Sequence, residues 1–119
     1  YYPHPLVSGI PGVDMDAPNY GYETNNSVIF NLSAIDATAL TNVTLYGNWT
    51  GTWQANQTAN LTGTYNTTNF TKTISDGRHL WGAYVCDNEA NCRFGTRNYT
   101  LTVDATAPNV SAFYTTANN

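Results

Sequence analysis

Apolar residues recur at every second position along five stretches of this chain. A period of two is the mark of a β-strand with one face buried. In Ser27–Asp36, Val28, Phe30, Leu32 and Ala34 share one side, while Asn31 and Ser33 share the other. In Asn42–Trp49, Val43, Leu45 and Trp49 oppose Asn42, Thr44, Tyr46 and Asn48. Phe70 and Ile74 oppose Thr71 and Thr73 in Asn69–Ser75, with Lys72 on the apolar side. In Arg78–Asp87, Trp81, Ala83 and Val85 oppose Leu80, Tyr84 and Cys86, and in Asn98–Asp104, Tyr99, Leu101 and Val103 oppose Asn98, Thr100 and Thr102. The stretch Thr50–Tyr65 is less regular and predicts one or two short edge strands anchored by Trp53 and Leu61. No segment holds a 3.6-residue apolar period long enough for a helix. Some six or seven short strands separated by turn signals predict an all-β chain folded as an antiparallel β-sandwich.

Composition changes what the outward faces mean. Only 10% of the 119 residues are charged, against about 25% in ordinary domains. Polarity comes instead from 16 Asn, 19 Thr and 5 Ser. Net charge is −4, and the basic residues are Lys72, Arg78, Arg93 and Arg97 alone. Four cations cannot build the stripe that neutralises a nucleic-acid backbone, nor a polybasic patch for anionic lipid. No apolar run approaches the length of a membrane span. Nucleic acid and direct membrane insertion are therefore not expected. No signal peptide is visible, so secretion would place Tyr1 beyond a cleavage point.

The asparagines are patterned. Asn-x-Ser/Thr occurs at Asn25, Asn31, Asn42, Asn48, Asn56, Asn60, Asn66, Asn69, Asn98 and Asn109, ten sites where this composition gives about three by chance. Asn31, Asn42, Asn48 and Asn98 lie on the polar parity of their strands, where a glycan can face solvent. The expectation is an N-glycosylated, extracellular chain, with the glycans of Asn66 and Asn69 competing for space.

Cys86 and Cys92 flank Asp87-Asn88-Glu89-Ala90-Asn91, a hairpin loop between neighbouring strands. The pair reads as a disulfide formed in an oxidising compartment, the alternative being two free thiols. Chemistry has little to work with. His4 lies among prolines, and His79 falls on the core parity of its strand. No nucleophile elbow, zinc helix or phosphate loop is present, so an enzyme is not expected. No cofactor is required. Calcium on Asp14, Asp16 and Asp104 is the one metal reading, set against acids that merely bond their own turns. Lys72, the single lysine, reads either as a packed stem with a solvated amine or as one end of a Lys–Asn or Lys–Asp isopeptide crosslink. Trp49, Trp53, Tyr46 and Tyr65 read either as packing or as a sugar-stacking platform.

Asp76-Gly77-Arg78-His79-Leu80-Trp81, followed by Val85-Cys86-Asp87, Asn91 and the closing Val103-Asp104-Ala105-Thr106-Ala107-Pro108, resembles the late strands of bacterial and archaeal Ig-like surface repeats. Leu45-Tyr46-Gly47-Asn48-Trp49-Thr50-Gly51-Thr52-Trp53 is similar to archaeal members. The resemblance spans roughly residues 14 to 110. It implies an Ig-like sandwich and a place at the cell surface, and says little of activity. His79 stands where such repeats carry a corner Tyr, and Ala90 where they carry a hairpin Gly.

Val13-Asp14-Met15-Asp16-Ala17-Pro18-Asn19 matches Val103-Asp104-Ala105-Thr106-Ala107-Pro108-Asn109 at five of seven positions, 90 residues apart. The organisation expected is an extended proline-bearing arm or linker over 1–13, an Ig-like β-sandwich over 14–105, and an extra strand over 106–119. That strand either begins a second unit or completes a neighbouring subunit, with Val110, Ala112 and Tyr114 on one face and Tyr1 and Tyr2 available for packing on a neighbour. The functional expectation is a structural subunit or repeat of a glycosylated surface filament, adhesin or surface layer. Its partners would be copies of itself or adjacent Ig-like repeats. The alternative is a carbohydrate-binding module using exposed Trp and Tyr.

Overall fold

The computed structural model describes residues 10–18 and 21–106. Among these residues nine strands follow in order: β1 (Gly12–Ala17), β2 (Tyr22–Glu23), β3 (Ser27–Ile35), β4 (Leu40–Gly47), β5 (Gln54–Asn60), β6 (Tyr65–Thr73), β7 (Gly77–Asp87), β8 (Cys92–Phe94) and β9 (Tyr99–Val103). They form two sheets, β1-β3-β6 and β2-β9-β7-β4-β5, with β8 pairing β7 beyond the end of β9. The fold is all-β, an Ig-like sandwich: the chain starts in the smaller sheet at β1 and crosses to the larger one at β2. That crossing makes β2–β9 a parallel pair, whereas the other pairs are antiparallel. Gly21 permits it. Its φ is +67°, its carbonyl accepts the Thr102 N–H at 2.7 Å, and a Cβ there would sit 2.6 Å from the Thr100 carbonyl oxygen. Only glycine fits that approach.

The period-two faces become the core. Val28, Phe30, Leu32 and Ala34 of β3 face Val43 and Leu45 of β4, Trp81, Ala83 and Val85 of β7, and Leu101 and Val103 of β9, all buried. Phe30 joins the layers. Its ring stacks on Trp49 at 5.4 Å and meets Trp81 edge-on at 4.9 Å, and Trp81 meets Tyr99 edge-on at 5.7 Å. Trp81 is fully buried, so truncating it to Ala removes about 3–5 kcal/mol of stability. β1 takes part as well: Gly12 pairs with Ile35, Val13 with Ala34, and Val13 and Met15 are buried. The sheet thus begins two residues inside the segment read as an arm.

The Thr50–Tyr65 region forms one edge strand, β5, as expected, and two other expectations change. β6 starts four residues before its periodic stretch. Leu61 is buried as expected, but Trp53 is not a core anchor. It lies on the outside at 38% exposure, because the β4–β5 connection carries it over the outer face of the sheet.

Candidate functional site

The sequon asparagines distribute over both outer faces. Of the nine among the described residues, Asn25, Asn31, Asn56, Asn60, Asn69 and Asn98 are exposed, while Asn42, Asn48 and Asn66 are half-buried. Strand register decides which can crowd each other. Asn66 and Asn69 are three apart on β6, so they point to opposite faces. Asn66 pairs with buried Ala34 and gives its amide N–H to the Thr62 carbonyl at 3.3 Å. Asn69 pairs directly with Asn31. The pair that shares a face is therefore Asn31 and Asn69 rather than the expected Asn66 and Asn69, which follows from a register no single strand reveals. Asn42 pairs with Asn60 in the same way on the larger sheet. Asn48 is held by its neighbour strand: its Oδ1 accepts the Leu80 N–H at 2.8 Å.

The larger sheet's outer face carries a second feature. Tyr46 of β4 sits opposite Gly82 of β7. Gly82 leaves a gap, and Trp53 covers it. The Trp53 ring stacks on Tyr46 at 5.7 Å, and Tyr46 meets Phe94 edge-on at 5.0 Å. Phe94, 40% exposed, lies 4.6 Å from Tyr84. Four aromatic rings thus line one solvent-facing strip. Of the rings singled out from the sequence, Tyr46 and Trp53 meet there. Trp49 instead packs against the core, and Tyr65 lies exposed at the start of β6. Tyr84 and Phe94 were missed; the outward parity of Tyr84 was legible, but the place of Phe94 depends on the β7–β8 register.

At one end of this strip the β7–β8 hairpin is closed covalently. Cys86 and Cys92 are register partners with Cα atoms 4.1 Å apart, and they form a disulfide. Asp87 organises the loop between them. Its Oδ1 accepts the N–H groups of Glu89 and Asn91, each at 2.9 Å, and its Oδ2 accepts the Asn91 amide. Burial pushes the Asp87 carboxyl up, but the Asn91 and Glu89 N–H groups, the Asn91 amide and the adjacent Asp36 side chain outweigh it and hold the group below the usual carboxylate range. The β3–β4 loop docks on the hairpin through Asn88 N–H to the Ala39 carbonyl at 2.9 Å and Thr38 Oγ1 to Asn88 Oδ1 at 3.2 Å.

At the opposite end, Asp76 ties three segments together. Its Oδ2 accepts the Thr106 hydroxyl at 2.6 Å, and its Oδ1 accepts the Ala105 N–H at 3.1 Å and the Asn26 amide at 3.0 Å. The Thr106 hydroxyl, then the Ala105 N–H and the Asn26 amide, lower its pKa. His79 nearby turns its Nε2 onto the Ser75 carbonyl at 2.9 Å. This is the corner hydrogen bond that a Tyr makes in Ig sandwiches, here made by an imidazole N–H.

The proposed calcium ligands gain no third acid. Asp16 accepts the Ser33 hydroxyl, the Asp104 N–H donates to the Glu23 carbonyl, and among the described residues no three His, Cys, Asp or Glu side chains converge. Lys72, half-buried on the edge strand β6, gives its amine to Gln57 Oε1, across to β5. Asn109, Val110, Ala112, Tyr114, Tyr1, Tyr2 and His4 lie outside the described residues.

No family model matches the chain, and no curated protein matches its sequence. Among solved structures, the sulfane dehydrogenase SoxCD from Paracoccus pantotrophus superposes with a TM-score of 0.53 at 9% identity, over 71% of this chain and 23% of that one. A PKD domain of an M14-like peptidase from Thermoplasmatales archaeon SCGC AB-540-F20 superposes with a TM-score of 0.47 at 18% identity, over 80% of this chain and 93% of that one. The SoxCD likeness shows a shared β-sandwich, and the chain spans about a quarter of that protein's length.

Proposed function

We propose that this chain is a structural unit of an extracellular, N-glycosylated surface assembly. It would join copies of itself, or adjacent Ig-like units, through residues 1–13 and 106–119. The observation that carries the reading is the placement of the sequons. Six of nine described sites are exposed, and they lie on both outer faces and on the edge strands β5 and β6 of a sandwich with few charges. Glycans there would supply the solubility that charge ordinarily supplies. The disulfide fits an oxidising compartment. The repeated heptapeptide supplies the joint. Its first copy opens the sandwich in β1, and its second begins at Val103, the last residue of β9. In a tandem or strand-donating array the closing strand of one unit would run into the opening strand of the next without a linker.

The test pairs glycopeptide mapping of the native material with electron microscopy of the full chain and of a chain lacking 106–119. Occupied sequons, regular assemblies from the full chain and folded monomers from the truncated one are expected. Unoccupied sequons, or normal assemblies from the truncated chain, would sink the proposal. The solvent-facing Trp53 on Tyr46 favours a second reading, a module that binds foreign glycans. Glycan binding lost in Trp53→Ala with assembly intact would select it.

A further inference from the structure

The aromatic strip has a candidate occupant on its own sheet. Asn98, the exposed residue just before β9, faces Gly82 from the side opposite Tyr46. Its Oδ1 lies 2.7 Å, and Trp53 Cη2 3.3 Å, from the point that a Cβ on Gly82 would occupy. The missing side chain of one glycine thus brings a sequon carboxamide and an indole edge to the same spot. The indole does not need to be ordered for the purpose, because Tyr46 stacks beneath it and Phe94 braces Tyr46. Two of the half-buried sequons are engaged elsewhere, Asn48 through the Leu80 N–H and Asn66 through the Thr62 carbonyl.

We infer that the N-glycan on Asn98 folds back over the sheet, so that its first pyranose ring stacks on Trp53. The chemistry is general. One face of a pyranose presents a row of C–H groups, apolar and slightly positive, which complements the negative face of an indole. A sugar on the Asn98 amide starts beside the indole edge, and folding over that edge would bring it to the face that Tyr46 leaves open. Covering the strip would account for Trp53 and Phe94 standing exposed on the outside of the sheet. The inference rests on Asn98 being an occupied sequon.

The experiment uses the full chain, made in a host that attaches N-glycans and trimmed enzymatically to one N-acetylglucosamine per site. Four proteins are compared: wild type, Trp53→Ala, Thr100→Ala, which abolishes the Asn98 sequon, and the double variant. Trp53→Ala is expected to lower Tm by roughly 3–8 °C more in the presence of the Asn98 sugar than in its absence, the shift an aromatic stack of ordinary strength produces in a domain of this size. Ring-current-shifted sugar protons in the wild type, lost in Trp53→Ala, are the second readout, and they do not depend on how either variant folds. Equal Tm losses and unshifted protons on an occupied Asn98 would overturn the inference and leave the glycosylated-surface reading standing. Sugars on the other sequons with Asn98 bare would do the same. No sugar at any sequon would overturn both.

Discussion

Ala90 holds a left-handed backbone, φ +65°, in the loop of the β7–β8 hairpin. The turn Asp87–Asn91 asks for that conformation where chains ordinarily place glycine, and an L side chain there costs about 1 kcal/mol. Ala90→Gly should therefore stabilise the protein by roughly 0.5–1 kcal/mol, the gain being trimmed by glycine's greater freedom when unfolded. Urea unfolding with the disulfide intact measures it; an unchanged or lower midpoint would show that the loop does not require the left-handed residue. Both positions, Ala90 and His79, were singled out in the sequence. The consequences differ. Ala90 is a local strain with no visible compensation. His79 makes the bond of a tyrosine corner by other means, because an imidazole reaches the Ser75 carbonyl much as a phenol would. The outward Trp53 was not legible, since its position depends on Gly82, which lies in a different strand.

The strands themselves were largely written in the alternation, because each needs only its own sequence to choose a buried face. What the alternation could not contain is register. The pairing of Asn31 with Asn69, the parallel β2–β9 pair and the brevity of β2 and β8 all depend on which strand lies beside which. The end of β9 is likewise set by a distant group. Asp76, at the turn into β7, fixes Ala105 and Thr106 and with them the direction in which the chain leaves the sandwich. Its folded pKa is lowered, so its contribution is complete above about pH 4, where an unfolded Asp ionises, and is lost as the pH falls through the folded value. Thermal unfolding from pH 7 down to pH 2 should show a smaller acid-induced fall in Tm for Asp76→Asn than for wild type. Asp87, shifted in the same direction, leaves a residual fall in the variant. At neutral pH the variant should also exchange the Ala105 amide hydrogen faster. Parallel curves for the two proteins would remove Asp76 from that role.

Across the whole molecule, the edge strands β5 and β6 close the two sheets on the same flank, joined by the bond from Lys72 to Gln57. An open strand edge is a template for pairing with another chain, and proteins ordinarily block it with lysines, prolines or bulges. Here β5 contains no charged residue and β6 contains Lys72 alone. The same two strands carry Asn56, Asn60, Asn66 and Asn69, four of the ten sequons. A bulky sugar on an edge strand excludes a neighbour sterically where a lysine would do so by charge. If glycans guard this flank, enzymatic removal from the folded protein should leave the sandwich intact by circular dichroism. It should nonetheless raise the hydrodynamic radius at high concentration as chains pair edge to edge. Asn56→Lys together with Asn69→Lys should restore a monodisperse solution without sugar, since both positions are exposed and an edge lysine blocks such pairing. Deglycosylated wild type that stays monodisperse would mean the flank needs no guard. Association that the two lysines fail to suppress would place the sticky surface elsewhere, with the aromatic strip on the larger sheet the next to examine.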